Sequence, residues 1–142
     1  VLNEKGELIE KGRIHSLADD PTSFHSMYEF YIELFHKYKP QAILCEQQFS
    51  GPKRNTMMKI IRPTGVVLAA AGSLPDVEFK FILPTSWRLV YHLDTPFTKK
   101  YSKKDSFEVT KLRFPDVLGS FNKDNDISDA IGLAYACWAT YG

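Results

Sequence analysis

"AILCEQQF", residues 42–49, decides the fold. Four apolar residues, Ala42 to Cys45, run straight into Glu46, two glutamines and Phe49. A short unbroken apolar run of this kind is what a strand covered on both faces presents. Ligands on open α/β sheets gather at the carboxyl ends of strands, and Glu46 stands at such an end. A carboxylate leaving a core is partly desolvated and needs a cation, a proton or hydrogen bonds to stay there. A glutamate that merely points to water is the plain alternative, and the residue alone does not choose.

Working outward, "VLNEKGELIEKGRI" reads as two short strands about an Asn3–Gly6 turn. "DDPTSFHSMYEFYIELFHKYKP" spaces Phe24, Met27, Tyr28, Tyr31, Phe35 and Tyr38 as a helix, capped by Thr22 or Ser23 and ended by Pro40. A second helix is expected from Asn55 to about Ala71, kinked or restarted at Pro63 and Gly65. "VEFKFILP" reads as a strand and "KKDSFEVTKLRF" as a short helix. The last helix, "DISDAIGLAYACWATY", carries Ile127, Ala130, Ile131, Ala134, Trp138 and Tyr141 on one stripe. This order gives a mixed α/β layout around a central sheet, in a single domain over residues 1–142.

The net charge of +1 removes any argument from overall basicity, but the cations are clustered. Lys53, Arg54, Lys59 and Arg62 form one group; Lys99, Lys100, Lys103 and Lys104 form another that reads as solvated loop unless something else recruits it. Local patches of this sort can still meet a polyanion. The longest apolar run, "VVLAAAG", is far short of the ~20 residues of a membrane span. Cys45 and Cys137 sit in separate apolar runs and read as buried thiols of a reducing compartment. His15, His25, His36 and His92 have no ligand spacing, and no CxxC, HExxH, nucleophile elbow or phosphate loop is present. Carboxylates on separate elements are the chemistry that remains.

Asp126 and Asp129 are three apart, so on a helix they share a face. At a helix start, an Asp followed by another three residues on would also serve simply as cap and dipole partner. In company with Glu46 the pair suits a hard divalent cation, which takes carboxylate oxygens and water. Two such ions about 3.5–4 Å apart are the apparatus of phosphodiester hydrolysis.

"EQQF" at Glu46–Phe49 and "DISDAIGLA" at Asp126–Ala134, in this order and separation, resemble the RuvC family of Holliday junction resolvases. The resemblance runs from Val1 to the C-terminus. It implies an RNase H-like fold, a five-stranded mixed sheet flanked by helices. The implied activity is that of a crossover junction endodeoxyribonuclease, a homodimer in the cytoplasm of a bacterial cell or phage-infected host. Glu46, Asp126 and Asp129 become the metal-binding catalytic acids, holding two Mg²⁺ or Mn²⁺ ions. Phe49 falls where the family stacks an aromatic on junction bases, though packing under the loop is the alternative. Lys53, Arg54 and Asn55, with Lys59 and Arg62, could meet DNA phosphates at a helix start. Lys103 and Lys104 fall where the family has basic residues near the acids. Trp87 and Arg88, in "PTSWR", either flank the cleft or belong to the core.

One departure is serious. The family's first acid is an Asp on the central first strand, in a "GIDPG"-like segment that nothing here matches. Val1-Leu2 corresponds to the second strand, so the first strand and its Asp are expected upstream in a longer polypeptide. Two other functions stay open: another RNase H-fold nuclease acting on RNA or on branched DNA in general, and a non-cleaving junction-binding protein.

Overall fold

The structure, a computed structural model, describes residues 1–15, 20–47, 54–99 and 101–141, without the side chains of 54–56. Phe49 and Lys53 lie outside the described residues, and Arg54 and Asn55 are described by their backbone alone.

The first helix, α1 (Pro21–Tyr38), begins one step ahead of the expected cap. Asp20 is the cap, accepting from the Thr22 N–H at 3.0 Å. Pro21 explains the shift, because its fixed φ and missing N–H suit the first helical position. The chain leaves α1 through Lys39 in the left-handed region (φ 46°), whose N–H returns to the Phe35 carbonyl, and Pro40 follows. Helix α2 (Arg54–Ala71) runs through Pro63 and Gly65 without the expected restart. Pro63 removes only one backbone donor, and the Thr64 hydroxyl adds a 2.8 Å bond to the Ile60 carbonyl. Strands β1 (Ala42–Glu46) and β2 (Glu78–Ile82) form a two-stranded sheet.

Helix α3 (Pro84–Tyr91) lies where the sequence reading assigns no element, between the "VEFKFILP" strand and the helix at "KKDSFEVTKLRF". Pro84 again sits at the helix start, and Trp87 and Tyr91, four apart, are both buried. Helix α4 (Lys103–Arg113) is capped by Ser102, whose hydroxyl accepts from the Asp105 N–H at 3.1 Å. Helix α5 (Phe121–Tyr141) starts well before Asp126. The DxxD pair is therefore inside the helix and is not its cap.

Two further expectations are corrected. Among the described residues the sheet has two strands, fewer than remain of the five-stranded sheet that the resemblance implies once its first strand is placed upstream. The N-terminal segment turns at Asn3, whose Oδ1 accepts from the Lys5 and Glu7 N–H groups, and at Gly6 (φ 78°). It contributes one antiparallel bridge, Leu2–Leu8, because the intervening turn leaves few residues to pair and the flanks are rich in weak strand formers. On α5, the buried residues are Ser128, Ile131, Gly132 and Ala136, while Ala130 and Tyr141 are exposed. Ile131 belongs to both sets, and the other buried positions, Ser128, Gly132 and Ala136, are small residues outside the expected stripe.

The chain divides into two compact units. One comprises Val1–Arg13, Leu44–Glu46 and Ile82–Gly142; the other comprises Ile14–Ile43 and Gln47–Phe81. The second is held by α1 against α2, with Phe35, Ala70 and Ala71 buried among Tyr31, Ile32, Val67 and Phe79. The first is built on Trp87, Tyr91, Val109 and Ala136, with α5 packed on α3 and α4. Among the described residues no helix is long and apolar enough to cross a membrane.

A buried polar chain also ties α3, α4 and α5 together. Thr110 Oγ1 lies 2.6 Å from Tyr91 Oη, 2.8 Å from Ser128 Oγ and 3.1 Å from the Ser106 carbonyl. Burial keeps the Tyr91 hydroxyl protonated by pushing it far above the ordinary tyrosine range, so it can donate. Nearby, His92 is wholly buried between the Phe97 carbonyl (2.8 Å from Nδ1) and Ser106 Oγ (2.7 Å from Nε2). A carbonyl only accepts, so Nδ1 carries the proton and the hydroxyl donates to Nε2. Burial holds this imidazole below the usual histidine range, as fits a neutral packing residue. Replacing Thr110 by Val should cost about 1–3 kcal/mol in urea denaturation, because Tyr91 and Ser128 keep buried hydroxyls without their partner. An unchanged midpoint would mean that the chain contributes nothing net.

Candidate active site

Glu46, Asp126, Asp129, Lys103, Arg88 and Trp87 all belong to the first compact unit. Glu46 ends β1, and its Oε2 accepts from the indole Nε1–H of Trp87 at 2.9 Å. Asp126 and Asp129, three positions apart on α5, converge on one cation. The Lys103 Nζ lies 2.6 Å from Asp126 Oδ1 and 3.2 Å from Asp129 Oδ2. Lys103 reaches them because the Ser102 cap makes it the first residue of α4. Lys104, the next residue, projects about 100° around the helix and is exposed. Arg88 Nη2 stands 3.8 Å from Asp129 Oδ2, and its Nη1 donates to the Tyr101 carbonyl.

The two aspartates are not equivalent. Asp126 has a side chain 70% exposed, and its hydrogen bond from Lys103 holds it below the ordinary carboxylate range. Asp129 is only 14% exposed, and burial pushes it up despite the pull of Lys103 and Arg88. The negative charge of Glu46 adds a lesser push in the same direction. For Lys103, burial lowers the ammonium pKa, but the bond with Asp126 and the charge of Asp129 outweigh it and the net shift is upward. Among the described residues two buried side-chain atoms have no hydrogen-bond partner, Asp129 Oδ1 and Arg88 Nε. An orphaned carboxylate oxygen is a group that a cation can engage. Among the described residues, however, no three His, Cys, Asp or Glu side chains lie close enough to hold a metal ion. Lys103 takes the place between the aspartates, and Trp87 engages the glutamate.

The other anticipated residues are dispersed. Lys59 and Arg62 are exposed residues of α2 in the second unit, and Arg54 and Asn55 lie in its first turn. Cys45 and Cys137 are free, half-buried thiols, both pushed up by burial. Trp87 and Arg88 enter the site through α3, whose signal in the sequence is Pro84 at the helix start.

No family model and no curated protein matches the chain in sequence. Among solved structures it is similar to Thermus thermophilus RuvC in complex with a Holliday junction substrate. The TM-score is 0.67 at 15% identity, over 89% of this chain and 75% of that one. At that identity the likeness speaks of architecture. The chain has a mixed α/β fold that matches the RNase H-like fold of a RuvC resolvase.

Proposed function

We propose that this chain is a metal-dependent endonuclease that cuts four-way or branched DNA by phosphodiester hydrolysis, working as a homodimer so that two sites meet one junction. The observation that carries the reading is Asp129, a buried carboxylate with an orphaned oxygen, next to Asp126 and within the field of Glu46. The likeness in fold to a resolvase solved with its junction supports the choice of substrate. Glu46, Asp126 and Asp129 would hold Mg²⁺ or Mn²⁺. When bound, such ions polarise the scissile phosphate and activate water. The chain's own part is to orient the three carboxylates, to keep Arg88 and Lys103 as cations beside them, and to offer Phe49, Lys53, Arg54, Asn55, Lys59 and Arg62 to bases and phosphates. Lys103 and Lys104 at the start of α4 would add phosphate contacts.

Lys103 favours a second reading. An ammonium already bridging Asp126 and Asp129 is also what a non-cleaving junction-binding protein on this architecture would carry. Cleavage of a labelled four-way junction in Mg²⁺ decides between them. Glu46→Gln should lose at least about 100-fold in rate, more than the 10–100-fold that an outer-shell partner typically costs. A parent that binds junctions and never cuts them establishes the second reading, whereas equal cutting of linear duplex leaves a nuclease without the junction preference.

A further inference from the structure

The geometry points to Trp87 as the positioning residue for Glu46, an inference that rests on the assignment of Glu46 above. A wholly buried indole must place its N–H on an acceptor, and this one places it on Glu46 Oε2 at 2.9 Å. The indole can only donate and a carboxylate oxygen accepts, so the bond fixes which oxygen of Glu46 turns inward. A glutamate at a strand end has three side-chain torsions to lose, and one rigid donor removes most of that freedom.

The indole itself has little freedom. Its ring packs with Tyr91, Val109 and Ala136, and the Arg88 guanidinium lies over it at 5.0 Å. Behind it, Gly132 of α5 has no side chain; a Cβ there would overlap Trp87 Cζ3. The ring therefore fills a slot that only glycine leaves open. Gly132 is three residues beyond Asp129 on the same helix. One helix thus both supplies two of the acids and seats the ring that aims the third. A packing role alone would be served by any large aromatic; the hydrogen bond to a carboxylate is what packing does not require.

The test uses the full chain with two readouts. In a ¹H–¹⁵N spectrum the two tryptophans give two indole signals, one from Trp87 and one from Trp138, which donates to the Glu4 carbonyl. Glu46→Gln is expected to shift the Trp87 signal and leave that of Trp138 in place, and Mn²⁺ should broaden the Trp87 signal first. Trp87→Phe, which keeps an aromatic and removes the N–H, is expected to raise the Mg²⁺ concentration for half-maximal cleavage about 10–100-fold. Its affinity for the junction should stay at the parental value. Parental Mg²⁺ dependence in Trp87→Phe, with Glu46→Gln inactive, overturns the positioning role and spares the assignment of Glu46. A Trp87 signal blind to Glu46→Gln does the same, and needs no Trp87 variant to fold. If Glu46→Gln itself cuts like the parent, the assignment of Glu46 fails and the positioning role goes with it.

Discussion

Asp129→Asn should nearly abolish cleavage and, in metal-free solution, raise the melting temperature. The two signs have one cause. Burial pushes the Asp129 carboxyl above the ordinary carboxylate range, so the folded chain binds this proton more tightly than the unfolded chain does. Its contribution to stability is full below the unfolded value, roughly 3.9, and is lost as pH rises through the raised folded value. At neutral pH the parent therefore carries an ionised group that its surroundings disfavour, even with Lys103 at 3.2 Å and Arg88 at 3.8 Å. The amide is nearly isosteric and needs no charge. A gain of about 1 kcal/mol corresponds to roughly 2–8 °C in Tm for a chain of this size. Thermal unfolding with chelator, at pH 7 and near pH 4, checks it: the advantage of the variant should shrink at the lower pH, where the parental carboxyl is protonated. Asp126 is the control with the opposite sign, because its carboxyl is held low by Lys103 and contributes stability that is lost as pH falls through the depressed value. Asp126→Asn should accordingly lose up to about 1 kcal/mol, as suits an exposed pair. Cleavage should fall at least about 100-fold in both variants. If Asp129→Asn lowers Tm and still cuts, Asp129 is a structural ion-pair partner and the site reading is lost.

Much of this site was legible because its logic is local. The three-residue spacing of Asp126 and Asp129 needs only a helix to bring both carboxylates to one cation, and the Lys103 ammonium shows the convergence. Glu46 was legible as the end of an apolar run. The start of α5 was not, because "FNKDN" has no apolar periodicity and the helix there rests on backbone bonds such as Asp124 N–H to the Ser120 carbonyl. The error mattered, since moving the helix start to Phe121 removes capping as the explanation of DxxD. For Trp87, which had cleft and core as alternatives, the ring is buried in the core while its N–H is on Glu46. The inward row of Ser128, Gly132 and Ala136 was invisible to a search for large apolar residues, because what selects it is the bulk of the ring opposite. Small residues under a tryptophan carry no hydrophobic signal of their own.

That row sets the largest structural effect expected for a single added methyl. In Gly132→Ala the new Cβ would overlap Trp87 Cζ3, closer than real Cβ contacts come, and would stand a tight 3.0 Å from Tyr91 Cδ2. Neither ring can swing aside cheaply. Trp87 is fixed by Glu46 at its N–H and by Arg88 on its face, and Tyr91 by its bond to Thr110. The whole of α5 must therefore shift from α3, at a cost of about 1–3 kcal/mol or more, well above the change expected from helix propensity, which favours alanine by up to about 1 kcal/mol. Trp87→Ala, from the other side, should cost about 3–5 kcal/mol through the cavity it leaves. Because both act on one contact, they should not add. With the Trp87 ring removed, the alanine at position 132 keeps only the tight approach to Tyr91 Cδ2, which then has a cavity beside it to yield into, so Gly132→Ala should cost clearly less in the Trp87→Ala background. Urea denaturation of the four proteins in this cycle measures the coupling. Additive costs would mean that glycine at 132 is required by the backbone of α5, independent of the ring that the structure seats against it.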